Sequence, residues 1–350
     1  LPFCTRRYTN RPAIDLARRL AHLAPGPLNK VLFAPGGTLA IGMALKLARA
    51  ATGRHKTLSL WESFHGASLD AISIGGEAIF RHNMGPLLPG ARHIPPPDPR
   101  DCPFACGAQC SLQCARYAEY VMDKEGDIGA VIVETVRASS RLAPPGYLEI
   151  LRAACDKHNA LLIFDEIPHA LGRTGRMFTC ENYGVTPDLL VIGKALGGGV
   201  FPLAALIARE DLDGPMAAQA LGHYTHEKNP VACAAGLALL DVIEQENLCD
   251  NSRKMGEYFL EKMRPLQQRH PLVGAVRALG LLMGIDLVLP GGSKASDAAD
   301  HVMYLCLERG LSFKTTMGNT LTLTPPLNIT PAEMDRALAI LDEALSAAAS

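Results

Sequence analysis

Leu161-Leu-Ile-Phe-Asp-Glu166 decides the fold: four apolar residues run straight into two acids. The run is too short for a helix, and both alternating positions are apolar. It therefore reads as a strand buried on both faces, as in parallel sheets covered by helices. Leu190-Val-Ile-Gly-Lys194 repeats the device with a lysine at its end, and Gly197-Gly-Gly199 follows at once. Working outward, 56–61, 128–134, 160–164, 189–192 and 203–208 read as near-continuous apolar strands. Between them, 38–51, 146–158 and 232–246 carry helical spacing. That alternation predicts an α/β fold with a mostly parallel, doubly wound sheet and ligands at the carboxyl ends of its strands. After residue 246 long amphipathic patterns flank short strands at 280–288 and 320–324. Two domains are expected, a large one over 1–246 and a smaller α+β one over 247–350.

Composition excludes several classes of function. Thirty-four basic against 35 acidic side chains leave a net charge of −1, which gives neither nucleic acid nor an anionic membrane a surface to bind. With 48% apolar and 20% charged residues the chain can bury a large core, so global disorder is out. The apolar stretch 231–240 is far too short to span a bilayer. Ten cysteines, six of them scattered among apolar neighbours, suit buried thiols in a reducing compartment, so a cytoplasmic location is expected. The chain opens on Leu1 with no signal pattern, and further sequence upstream is expected.

Four features carry chemistry. Asp165 sits at the mouth of one strand and Lys194 at the mouth of another. Leu32-Phe-Ala-Pro-Gly-Gly-Thr38 opens a helix, where free amides, a close-approach glycine pair and a hydroxyl make a phosphate cradle. Phe64-His65-Gly66 follows a strand and offers a ring to cover a planar ligand. Each has a bland reading: a solvated strand tip, an ordinary glycine turn, a core phenylalanine. One cofactor uses all four. Pyridoxal phosphate (PLP) takes a lysine for its imine, an acid for its pyridine nitrogen, a phosphate seat and an aromatic neighbour.

From about Arg11 onward the chain resembles class-III (ornithine/GABA-type) aminotransferases of PLP fold type I. The motifs are Gly36-Gly-Thr38, Phe64-His-Gly66, Phe164-Asp-Glu-Ile167, Gly172-Arg-Thr-Gly175, Pro187-Asp188, Gly193-Lys194 with Gly197-Gly-Gly199, and Thr225 with Asn229-Pro230. The resemblance implies that Lys194 is the Schiff-base lysine and catalytic base, and that Asp165 is the pyridinium partner. Gly36, Gly37 and Thr38 would seat the phosphate, Phe64 would stack on the ring, and His65 and Glu134 would join the cofactor contacts. Thr225 would reach the neighbouring subunit's cofactor, which implies a homodimer with its active sites at the subunit interface. Family members begin further upstream, so an N-terminal segment with part of the substrate pocket is expected to be missing.

Departures from the family pattern bear on the reaction. Pro168 replaces the family's amide residue after the acid. Thr322 stands where 2-oxoglutarate-using members carry an arginine, and its usual glutamate partner falls near Ser139. A hydroxyl does not replace a bidentate guanidinium. Arg137, in the family's glutamine position, is the candidate clamp for a substrate anion. The expected substrate is a primary amine. Transamination is the family default; the alternative is elimination of ammonia from a β-hydroxy amine. Tyr224-Thr-His-Glu-Lys-Asn-Pro230, Asp165-Glu-Ile-Pro168 and a cysteine-rich insert resemble the subgroup of (R)-1-hydroxy-2-aminoethylphosphonate ammonia-lyases. Racemisation, and a PLP-fold binding protein without catalysis, complete the alternatives. In the insert Cys102, Cys106, Cys110 and Cys114 recur at every fourth position without the close pairs of many zinc sites, so no metal ligand is assigned and zinc stays open. His169, His223 and His226 are read as structural.

Overall fold

The computed structural model describes residues 3–5, 7–98, 102–106, 110–214 and 220–348. The chain divides into two compact units. The first comprises Leu1–Thr135, Ala143–Ala170 and Phe178–Asp241; the second comprises Val136–Leu142, Leu171–Met177 and Val242–Ser350.

The first unit holds seven strands: β1 Leu28–Ala34, β2 Lys56–Leu60, β3 Ala91–Ile94, β4 Ile128–Glu134, β5 Leu161–Asp165, β6 Leu189–Ile192 and β7 Ala204–Arg209. They form one sheet in the order β1-β7-β6-β5-β4-β2-β3. From β6 through β5, β4 and β2 to β3 every pairing is parallel, whereas β7 runs antiparallel to both β6 and β1. The connection over 193–203 carries the 3-10 turn Lys194–Gly197 and no crossover helix, and an antiparallel neighbour needs none. β4, β5 and β6 are buried at every position, as their unbroken apolar runs require. The helix Gly37–Thr52 closes one face, packing Ile41, Met43, Ala44 and Leu47 against Ile132, Ile163, Val191 and Leu206.

The second unit holds β8 Val273–Leu279, β9 Leu282–Leu287, β10 Lys314–Thr316 and β11 Thr320–Leu323, an antiparallel sheet in the order β10-β11-β9-β8. Alternation decides its faces. Met283, Ile285, Leu287, Leu321 and Leu323 pack on Phe259, Met263, Val302 and Leu341 from the helices Leu248–Arg269, Ser296–Glu308 and Pro331–Ala348. The alternate positions Gly284, Asp286, Thr320 and Thr322 turn to the opposite face and are also buried. Across that face Arg277 grips Asp286 with two guanidinium nitrogens, at 2.7 and 2.8 Å, and the Thr320 hydroxyl donates to the same carboxylate at 2.7 Å. Among the described residues no helix is long and apolar enough to cross a membrane.

Removing one partner of a buried ion pair strands the other charge. Asp286→Ala should cost about 3–5 kcal/mol of stability, read as a fall in the denaturant midpoint. A loss below about 1 kcal/mol would mean that water already reaches Arg277.

Candidate active site

Strand register builds the site. Glu134 of β4 lies beside Asp165 of β5, and Asp165 lies beside Val191 of β6, so three parallel neighbours end at the same rim. Lys194 stands two residues beyond the end of β6 and opens a 3-10 turn, Lys194–Gly197. Its φ of 43° is left-handed, a strained choice for a residue with a side chain.

Asp165 is only 2% exposed, and each of its oxygens has a donor. His65 Nδ1 lies 2.8 Å from Oδ2, and the Ile167 backbone N–H donates to Oδ1 at 3.1 Å. An ionised carboxylate only accepts, so Nδ1 carries the hydrogen of the first bond. The Nε2 edge of His65 is buried without a hydrogen-bond partner. The backbone N–H of Phe64 donates to Glu134 Oε2 at 3.4 Å, which ties this segment to the end of β4. The Phe64 ring stays 37% exposed, and its centroid is 4.7 Å from that of Phe80.

The helix Gly37–Thr52 starts at the same rim. Gly36 caps it without any side-chain bond, so its first amides are open to an anion. A Cβ on Gly37 would come within 2.8 Å of Ile167 Cδ1, and one on Gly193 within 3.3 Å of Ile167 Cγ2. Ile167 therefore wedges between the helix start and the lysine turn while its own amide serves Asp165. Gly66, at φ 127°, leaves room for the Thr38 hydroxyl, with which any Cβ there would collide. Gly36, Gly37, Thr38, Phe64, His65, Glu134, Asp165 and Lys194 thus converge. Sequence reading passed over Ile167, because an apolar residue at a strand end carries no chemical signal.

Thr225 is exposed, and its side chain makes no hydrogen bond among the described residues. Arg137 is buried in the second unit, where its Nη2 donates to Met317 Sδ at 3.5 Å. Glu166 is fully buried; it accepts from the Thr179 and Cys180 amides, each at 2.6 Å, and from the Thr135 hydroxyl at 3.2 Å. Burial pushes its carboxyl up to about 7, against the pull of those donors. His169 is buried on the Thr179 hydroxyl at 2.9 Å, whereas His223 and His226 are exposed. In the insert Cys102 and Cys106 place their sulfurs 3.6 Å apart, and the Ser111 hydroxyl lowers Cys106 to about 7. Cys114 is buried and pushed up to about 11. Among the described residues no three His, Cys, Asp or Glu side chains are arranged to hold a metal ion.

These residues fit PLP: an uncapped helix start with a glycine cradle, a doubly anchored carboxylate and a strand-end lysine at one rim. Lys194→Ala should abolish the near-visible absorption of the PLP-loaded protein; survival of the band would place the imine on another lysine. Asp165→Asn should fold and bind cofactor yet lose at least about a hundredfold in rate, because an amide cannot hold a pyridinium N–H by charge. An unaltered rate would reduce Asp165 to a structural strand-end acid.

Comparison with known proteins agrees with this geometry. The class-III aminotransferase family model matches residues 2–345. The chain is 46% identical to (R)-1-hydroxy-2-aminoethylphosphonate ammonia-lyase of Vibrio splendidus, over 99% of this chain and 76% of that protein. It is 34% identical to acetylornithine aminotransferase of Caldanaerobacter subterraneus subsp. tengcongensis, over 98% of this chain and 82% of that protein. An amine transaminase from an uncultivated Pseudomonas species, solved in its PLP-bound form, superposes with a TM-score of 0.91 at 31% identity, covering 99% of this chain and 83% of that one. The chain belongs to the class-III aminotransferase family and is a PLP-dependent enzyme of fold type I.

Proposed function

We propose that this enzyme eliminates ammonia from a β-hydroxy primary amine carrying a phosphonate, of the 1-hydroxy-2-aminoethylphosphonate type. The observation that carries the reading is Thr322. At the family's carboxylate-reading position its hydroxyl is paired with that of Thr316 at 2.7 Å. With Ser139 at the partner position, these two positions do not supply the fork that selects a dicarboxylate co-substrate. The 46% identity to the ammonia-lyase supports the same choice.

Bound PLP supplies an aldehyde for the amine and an electron sink for the bond broken beside it. The residues do the rest. Gly36, Gly37 and Thr38 would seat the phosphate with amides and a hydroxyl, and Phe64 would cover the ring. Asp165, held by His65 and the Ile167 amide, would be the acid for the pyridine nitrogen, and Glu134 fixes the Phe64 segment. Lys194 Nζ takes the proton from the amine-bearing carbon. The neighbouring C–O bond then breaks, and its hydroxide leaves as water. The released unsaturated amine takes up water and yields an aldehyde and ammonia, so no keto acid is consumed. Arg137, three residues beyond Glu134 along the chain, is the contact for the phosphonate. Thr225, exposed in one protomer, would complete the phosphate seat of a partner in a homodimer, and the location is cytoplasmic.

Holoenzyme given 1-hydroxy-2-aminoethylphosphonate without keto acid should release ammonia stoichiometrically with aldehyde. Strict dependence on a keto acid would instead establish transamination, the family's default reaction. Charge-assisted bonds to a guanidinium contribute roughly 1.5–3 kcal/mol, one to two decades in affinity. Arg137→Gln should therefore weaken anionic amines about ten- to a hundredfold and small neutral amines by less than about threefold. Equal losses on both would remove Arg137 from the substrate.

A further inference from the structure

The second unit contains a polar face whose donors are arranged in a way the fold alone does not require. Thr322, Gly284 and Arg277 lie side by side across β11, β9 and β8, so their side-chain directions share one face. The segment Val136–Leu142 lies on that face. A Cβ on Gly284 would collide with Ser140 Oγ, so the loop sits directly over the glycine. Arg277 fixes it from below: Nε donates to the Ser140 carbonyl at 2.9 Å and Nη2 to the Ser139 carbonyl at 3.3 Å. The Ser140 hydroxyl donates to the Ser139 carbonyl at 2.6 Å, and Ser140 itself is left-handed at φ 58°. Strain of this kind persists only where the surroundings enforce it.

The Ser139 carbonyl is thus held twice, while its hydroxyl oxygen, buried in a residue 5% exposed, has no hydrogen-bond partner among the described residues. A buried hydroxyl left unsatisfied costs about 1–3 kcal/mol unless something else fills the role. Thr316 and Thr322 face each other, and such a pair uses one hydroxyl hydrogen internally and keeps the second for another acceptor. Guanidinium groups lie on the same unit: Arg277 and Arg141 both reach Asp286, the latter at 3.7 Å, and Arg137 Nη2 reaches Met317 Sδ at 3.5 Å.

We propose that Arg137, Ser139 and Thr322 together read a tetrahedral oxyanion, a phosphonate or phosphate group, in preference to a carboxylate. A carboxylate is planar and is matched best by one planar fork. Separate hydroxyls from a loop and a strand, beside a guanidinium, match three oxygens that diverge from one phosphorus. The inference rests on the reaction proposed above for the choice of substrate, and it adds Ser139 and Thr322 as residues that set specificity.

The test uses holoenzyme and three substrates that differ only at the far end: 1-hydroxy-2-aminoethylphosphonate, its carboxylate counterpart isoserine, and neutral 1-amino-2-propanol. Ser139→Ala and Thr322→Val should each lower kcat/KM for the phosphonate about tenfold or more while isoserine and the neutral amine change less than about threefold. Thr322→Ser, which keeps the hydroxyl, should recover most of the loss. Equal losses on all three substrates, or no recovery with serine, would overturn the proposal and leave both residues structural. Calorimetric titration with methylphosphonate and with acetate separates this inference from the reaction. Selective methylphosphonate binding, weakened in both variants, supports the oxyanion face even if ammonia release depends on a keto acid. Wild-type holoenzyme that binds acetate as well as methylphosphonate overturns it even if ammonia is released.

Discussion

A carboxylate 2% exposed at the end of a buried strand has to be given donors, because an unpaired charge there would cost more than the fold can offset. Asp165 obtains them from His65 Nδ1 and from the Ile167 amide, and those two bonds pull the rest of the rim into place. The histidine brings Phe64 and Gly66 with it, and Gly66 leaves room for Thr38. The amide fixes Ile167, whose side chain meets both Gly37 and Gly193. The helix start at Gly37, the Phe64 segment and the lysine turn are therefore all positioned by reference to one acid. The elements are ordinary; what is specific is that they share an anchor.

Much of this was legible before any coordinates. Leu161–Asp165 and Leu189–Ile192 declare themselves because strands covered on both faces must be apolar at every position. Asp165 and Lys194 stand out because a charge closing such a run is a local contradiction, and contradictions of that kind gather at functional sites. The reversal of β7 was hidden: an apolar strand reads alike in either direction, and nothing in its own residues sets its sense. Ile167 was hidden as well, since its importance lies in two close approaches that no spacing rule reports. The second unit draws in Val136–Leu142 and Leu171–Met177 from within the first unit's sequence, and a reading by contiguous ranges has no means of seeing that.

The two units handle polarity differently. In the first, buried charge is concentrated at strand ends, where helix starts and loop amides reach it. In the second, alternation puts Met283, Ile285, Leu287, Leu321 and Leu323 on the helical side and leaves Asp286, Thr320 and Thr322 to a face that a loop must cover. Covering a polar face with a loop rather than a helix provides carbonyls and hydroxyls at close quarters. It also explains why the arginine that holds the loop, Arg277, is itself held by a carboxylate one strand away.

Gly66 and Thr38 show what such closeness means over evolutionary time. Any side chain on Gly66 would occupy the space of the Thr38 hydroxyl, although one residue lies in the loop after β2 and the other in the first turn of the helix Gly37–Thr52. Neither position can drift alone. Enlarging Gly66 is deleterious while threonine remains, and shrinking Thr38 gives up the hydroxyl before a larger neighbour can make use of the vacated volume. The viable paths between sequences here pass through paired substitutions, so in a set of homologues these two columns should vary together or not at all.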